Sequence, residues 1–379
     1  MALTREVSRS YSTSACAGRK LPERIVHSMP GRTGKRLAGF LLIATCTVPG
    51  SESGAPRAIA PESRVLMDAH NCYPYGGKWA DRIERALKTG TPLAIEQDLF
   101  WYTGTHQSQS LVTHGKPIHG DEPNMRDYFF ERIRPLMEAA LKEGDHGDWP
   151  LVTLNLDFKS DESAHHAAVW KLLKQYEPWI CSAERTSDIH KVMPITVRPL
   201  LVLTGEADSQ ARDFYDMVPL GERLLAFGAV HMHRKNPMSP PEVLAAEPAS
   251  NYRRWWNNPW NVVERGGQRN AGPWTTQDET RLRQLVTRAH ELGLWIRVYT
   301  LDGLSDSDLA RNGWDKGYNF GSREKASVRW MAAIRAGVDF IATDQYEDVA
   351  ALVRTLGSAG TFASCRFRWQ TSRNPCARK

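Results

Sequence analysis

From Arg64 onward the chain repeats one pattern: a short apolar run, then a stretch with helical spacing. Such alternation builds parallel βα units, because a strand buried on both faces needs a helix to carry the chain back to the start of the next. The apolar runs are Arg64–His70, Leu93–Phe100, Ser110–Thr113, Leu151–Phe158, Leu200–Thr204, Leu224–Val230, Leu294–Leu301 and Asp339–Thr343. Gly90, Gly144 and Gly337 are helix stop signals, and Asn124 and Thr275 or Thr276 are helix caps. Eight strands in roughly 290 residues predict a single-domain (β/α)8 TIM barrel. An open doubly wound sheet would normally place a glycine-rich phosphate loop after its first strand. Here Asn71-Cys72-Tyr73-Pro74-Tyr75 follows instead.

The longest irregular segment, His231 to Trp274, is expected to be a loop after strand six. It carries Arg253, Arg254, Trp255, Trp256 and Trp260. Such a cluster can bind a phosphate-bearing headgroup and make peripheral contact with a membrane, or it can pack its tryptophans into a small core of its own.

The net charge of +6 invites a nucleic-acid reading. Its location argues otherwise. Residues 1–63 hold nine Lys and Arg against four Asp and Glu, which leaves the rest of the chain close to balance. No nucleic-acid partner is expected, and a monomer is. Residues 1–63 read as an export leader, 64–356 as the barrel and 357–379 as a C-terminal tail. Lys35 and Arg36 precede the apolar run Leu37–Val48, which is too short to span a bilayer as a lone helix. Met29 gives a more typical start for such a signal, and Cys46 ends a run similar to a lipoprotein cleavage box, with Thr45 off-pattern. The expected location is periplasmic or secreted. Of the cysteines beyond the leader, Cys365 and Cys376 are the expected pair, and Cys72 is assigned to packing.

Chemistry gathers at the ends of the predicted strands. Glu96 and Asp98 stand at i and i+2, so they share one side of a strand. Asp157 and Lys159 repeat the spacing on the fourth predicted strand, and Asp302 and Asp344 follow the last two. His70 with Asn71, and His114 with Gly115, end the first and third. In a barrel all these ends meet around one mouth. Two histidines, three acids and a lysine there would be costly as packing alone. Carboxylates on one face repel each other unless a cation, a proton or a basic partner sits between them, and oxygen ligands suit Mg²⁺ or Ca²⁺. Glu96, Asp98 and Asp157 are the candidate ligands, with His70 and His114 as general base and acid. Lys159 can bind a phosphate oxygen or hold Asp157.

The motifs Asp68-Ala69-His70-Asn71, Ile95-Glu96-Gln97-Asp98, Val112-Thr113-His114-Gly115, Asn155-Leu156-Asp157-Phe158-Lys159 and Gly337–Asp344 occur in order over residues 64–356. Together they resemble the phospholipase C-like phosphodiesterase superfamily. That superfamily includes glycerophosphodiester phosphodiesterases, phosphatidylinositol-specific phospholipases C and sphingomyelinase D-type barrels. The resemblance implies catalytic histidines at His70 and His114 and a metal at Glu96, Asp98 and Asp157. Asn71, Lys159 and Asp344 are assigned to substrate binding. Gly115 and Asp157 are similar to the sphingomyelinase D type, whereas glycerophosphodiesterases usually have Asp and Glu there. The implied activity is hydrolysis of a glycerophosphodiester or phospholipid headgroup, with a cyclic phosphate as one route. Two other classes remain: a catalytically silent barrel that binds phosphorylated headgroups or glycans, and a glycosidase using Glu96 and Asp157 as its carboxylate pair.

Overall fold

The computed structural model describes residues 59–358, except 76, 105–107, 145–149, 233–234 and 313–315. The predicted leader, with Cys46, and the Cys365–Cys376 pair lie outside the described residues.

Eleven strands are present among the described residues: β1 Leu66–Ala69, β2 Leu93–Thr103, β3 Ser108–Val112, β4 Val152–Phe158, β5 Ala183–Glu184, β6 Leu200–Thr204, β7 Arg223–Leu224, β8 Phe227–Ala229, β9 Arg253–Pro259, β10 Trp295–Tyr299 and β11 Phe340–Thr343. Eight of them form a parallel ring in the order β1-β2-β4-β6-β8-β9-β10-β11, closed where β11 pairs with β1. This is a (β/α)8 TIM barrel. β5 and β7 make a separate two-stranded sheet.

Helices return the chain between strands, and their ends follow local chemistry. Helix Thr276–Glu291 starts at a capping box between Thr275 and Asp278. Helices Glu131–Glu143 and Arg323–Ala336 stop at Gly144 and Gly337, at φ of 67° and 81°. A left-handed residue there satisfies the last carbonyls, and glycine adopts it without a Cβ clash. Asn124 Oδ1 accepts from Asp127 N at 3.0 Å, as a cap should. No described helix is long and apolar enough to cross a membrane.

Two expectations fail in detail. Ser110–Thr113 is not a barrel strand: β3 runs antiparallel to β2, as the return arm of a hairpin that extends β2 beyond the barrel wall. The segment His231–Trp274 is not one loop either, because it contains β9, the sixth strand of the ring. Two arginines disguise it. Arg253 is held by Glu206 O at 2.9 Å and Asp208 Oδ1 at 2.8 Å, and Arg254 by Met193 O at 2.8 Å. Trp255 and Trp256 are buried in the barrel wall, and Trp255 Nε1 donates to Thr204 O at 2.8 Å. Trp260 is buried as well, so these three tryptophans pack in the interior.

Candidate active site

The carboxyl ends of the barrel strands open on a polar cavity of about 470 Å³. His70, Asn71, Glu96, Asp98, Asp157 and Lys159 line it, together with His114. The parallel register explains the grouping. Asp98 is paired with Asp157 across β2 and β4, and Asp68 on β1 with Ala94 on β2. Glu96 and Asp98 both turn inward, as alternation on one strand requires.

His70 is the most constrained group. Its Nδ1 lies 3.0 Å from Asp344 Oδ1, and its Nε2 lies 2.8 Å from Thr300 Oγ1 and 3.4 Å from Glu96 Oε2. Burial opposes its positive form. Glu96 and then Asp344 outweigh burial and raise its pKa to about 9. Asn71 turns the chain here at φ 49°, a left-handed conformation that asparagine tolerates. That turn aims its backbone N–H at Glu96 Oε2, 3.1 Å away.

Glu96 is saturated with donors. Arg297 Nη2 donates to Oε1 at 3.0 Å, Asn155 Nδ2 at 3.4 Å, and Asn71 N to Oε2. Burial alone would raise its pKa; His70, Arg297 and Lys159 together lower it to about 2. Asp98 goes the other way. Burial and then the neighbouring Asp157 carboxylate push it up to about 8, against the pull of Lys159. Its Oδ2 accepts from Tyr73 OH at 2.6 Å and lies 3.1 Å from Lys159 Nζ, whereas its Oδ1 is buried with no hydrogen-bond partner. His114 stands on the rim, its side chain 58% exposed and its Nε2 3.9 Å from Asp98 Oδ2. Burial and Lys159 lower its pKa.

Oxygens of Glu96, Asp98 and Asp157 all lie within 4.8 Å of one another, so the three could hold a metal ion. The fit is favourable on two counts. Asp98 Oδ1 is buried without a hydrogen-bond partner, as an oxygen that takes a metal would be. Among the described residues, four acids, Asp68, Glu96, Asp98 and Asp157, are met by two permanent cations in ion-pair contact, Arg297 and Lys159.

Asp344, expected in substrate binding, lies outside the cavity lining. It is buried behind His70, bonded also to Asn71 Nδ2 at 3.2 Å and Arg82 Nη2 at 3.3 Å. Its geometry makes it the group that orients His70. Cys72 is fully buried, and burial pushes its thiol pKa up, consistent with packing. Sequence reasoning missed Arg297, Tyr73, Thr300 and Arg82. Arg297 left a signal, a single charge inside the apolar run Trp295–Tyr299.

No family model matches the chain, and no curated protein does. Among solved structures it is similar to two glycerophosphodiester phosphodiesterases from Parabacteroides distasonis. One is 16% identical with a TM-score of 0.37, covering 77% of this chain and 87% of that one. The other is 14% identical with a TM-score of 0.38, covering 78% and 98%. The HPPK-DHPS protein of Plasmodium falciparum overlaps at a TM-score of 0.43 and 8% identity, covering 79% of this chain and 49% of that one. Overlap this loose assigns no activity, and the barrel stands on its own closed strand order.

Proposed function

We propose that the protein is an exported, metal-dependent phosphoric diester hydrolase acting on a glycerophosphodiester or phospholipid headgroup. The observation that carries this is a cavity lined by a carboxylate triad, with His70 Nε2 3.4 Å from Glu96 and His114 Nε2 3.9 Å from Asp98. Glu96, Asp98 and Asp157 would hold one divalent ion, and an all-oxygen set favours Mg²⁺ or Ca²⁺. Such an ion supplies neutralisation of phosphate charge as it builds in the transition state. Each side chain has its own task. His70, with Nδ1 directed to Asp344, presents Nε2 as the base that takes a proton from the attacking oxygen. That oxygen belongs to water or to a hydroxyl neighbouring the phosphate; the second gives a cyclic phosphate. His114, 58% exposed at the rim, faces solvent where a leaving oxygen would receive its proton. Glu96 is unsuited to act as a glycosidase acid, because its donors keep it ionised. The basic and apolar pattern of residues 35–48 supports export.

A screen of bis-p-nitrophenyl phosphate, glycerophosphocholine and phosphatidylinositol, with Mg²⁺ and with EDTA, tests the proposal. Hydrolysis that EDTA abolishes and Mg²⁺ restores is the expected result. Undiminished turnover after exhaustive chelation counts against the metal, and no turnover on any diester counts against the activity.

The charge on His70 gives a second test. Glu96 and Asp344 both support its protonated form, so a cation on Glu96 removes part of that support and favours the neutral imidazole for base work. In the chelated protein, His70 observed by NMR is expected to titrate near 9 and to fall when Mg²⁺ is added. The chelated protein also carries a linked stability term. Protonated His70 stabilises it fully below the ordinary value of 6.5, and that contribution is lost as pH rises through about 9. A titration unmoved by Mg²⁺ separates the ion from Glu96.

A further inference from the structure

The carboxylate triad already meets a cation of the protein's own. Lys159 Nζ lies 2.7 Å from Asp157 Oδ2 and 3.1 Å from Asp98 Oδ2. Its backbone is anchored, with Lys159 N donating to Leu99 O at 2.8 Å just beyond the end of β4. Its side chain is a flexible four-carbon stem, 23% exposed, and it opens on the cavity. Arg297, the other cation at the triad, is different. It is 2% exposed and forked onto Asp68, Glu96 and Asn257. One cation is locked in the barrel, and the other reaches the triad on a flexible stem that opens on the cavity.

We propose that Lys159 is a displaceable counter-ion with two positions. It rests on Asp98 and Asp157 when no divalent ion is held there, and on a phosphate oxygen of the substrate when one is. The proposal rests on the metal-dependent reading above and adds an order to it: the ion releases the lysine, and the lysine then takes the anion. Charge supplies the reason. An ammonium touching two of three ligating carboxylates repels a second cation on the same oxygens, so it weakens ion binding. Filling the triad cancels the attraction that keeps the ammonium there. The stem can then carry Nζ into the cavity, towards a phosphate. Asp98 Oδ1 is an independent observation in favour. Lys159 and Tyr73 both engage Oδ2, so the lysine leaves the buried Oδ1 unsatisfied, which suits a resident that gives way to another. Linkage requires the divalent ion and the phosphate to tighten each other's binding by one common factor.

Calorimetric titration of Mg²⁺ and of Ca²⁺ into wild type, Lys159→Met and Lys159→Arg, each with and without inorganic phosphate, tests this. Lys159→Met is expected to bind the ion at least about tenfold more tightly than wild type, the scale of a close charge pair removed. Wild type is expected to bind it at least about fivefold more tightly with phosphate present. That gain shrinks in Lys159→Met to what the ion and the phosphate give each other directly, and Lys159→Arg retains both the competition and the larger gain. Thermal melts give a second readout. Without the ion Lys159→Met melts below wild type, and saturating Mg²⁺ raises its melting temperature by more than it raises that of wild type. Should Lys159→Met not fold, Lys159→Gln carries the same comparison. Unchanged or weaker ion binding in the uncharged variant overturns the counter-ion while leaving the metal site intact. No ion binding by folded wild type or any variant overturns both.

Discussion

Replacing His70 by alanine is expected to cut hydrolysis roughly 10²–10⁴-fold on every diester, whatever its leaving group, the usual scale for removing a general base. The nucleophile must lose its proton in each case, and Asp344, Thr300 and Glu96 fix both ring nitrogens of His70. His114→Ala is expected to behave differently. Its proposed job is to protonate the departing oxygen, so the loss should be large for glycerophosphocholine and small for a p-nitrophenyl ester, which leaves without a proton. Asp344→Asn should fall between, because it keeps the shape around Nδ1 but removes the charge that fixes the ring. Kinetics on the two substrates decide the assignment. Reversal of the pattern exchanges the roles of the two histidines. Equal losses on both substrates reduce them to phosphate-binding groups, and near wild-type rates in both variants sink the mechanism.

The parts of this site that were legible in the sequence share one property: they sit at strand ends whose spacing exposes them. Glu96 and Asp98 announce themselves by alternation along one strand, and Asp157 and Lys159 repeat it. A barrel then brings them together with no further information. Asp344 was visible as a residue, but its role was not. Its contact with His70 exists only because β11 closes on β1, where Ala69 pairs with Thr343 and His70 N donates to Thr343 O at 3.2 Å. Tyr73 left no trace, since nothing local tells that its hydroxyl reaches Asp98. The fold followed the same division. Apolar runs marked seven of the eight barrel strands. β9 was hidden because charged side chains with partners on neighbouring loops can occupy a strand that hydropathy reads as polar. β3 was mistaken for the missing strand because a hairpin arm and a barrel strand have the same short pattern; only their partners differ.

Arg297→Met is expected to cost the chelated protein about 3–5 kcal/mol of stability, the range for breaking a buried ion pair from one side. The guanidinium bridges β10 to β1 and β2: Nε donates to Asp68 Oδ2, Nη2 to Glu96 Oε1 at 3.0 Å and Nη1 to Asn257 Oδ1 at 3.1 Å. Both carboxylates are buried, and Asp68 Oδ1 has no hydrogen-bond partner even with the arginine in place. Burial already raises the pKa of Asp68 against the pull of Arg297. Without that pull the two acids take up protons more readily, so the loss should be smaller at pH 5 than at pH 8. Arg297→Lys should rescue little, since one ammonium cannot reproduce a fork that holds three partners. Adding Asp68→Asn to Arg297→Met should recover part of the stability by removing the stranded charge, a coupling that a double-mutant cycle measures. Denaturant melts at the two pH values read all of this without an activity assay. A loss under about 1 kcal/mol at pH 8, with no dependence on pH, would mean that the carboxylate cluster holds its shape without the arginine. Arg297 would then serve the cavity it lines, and not the barrel around it.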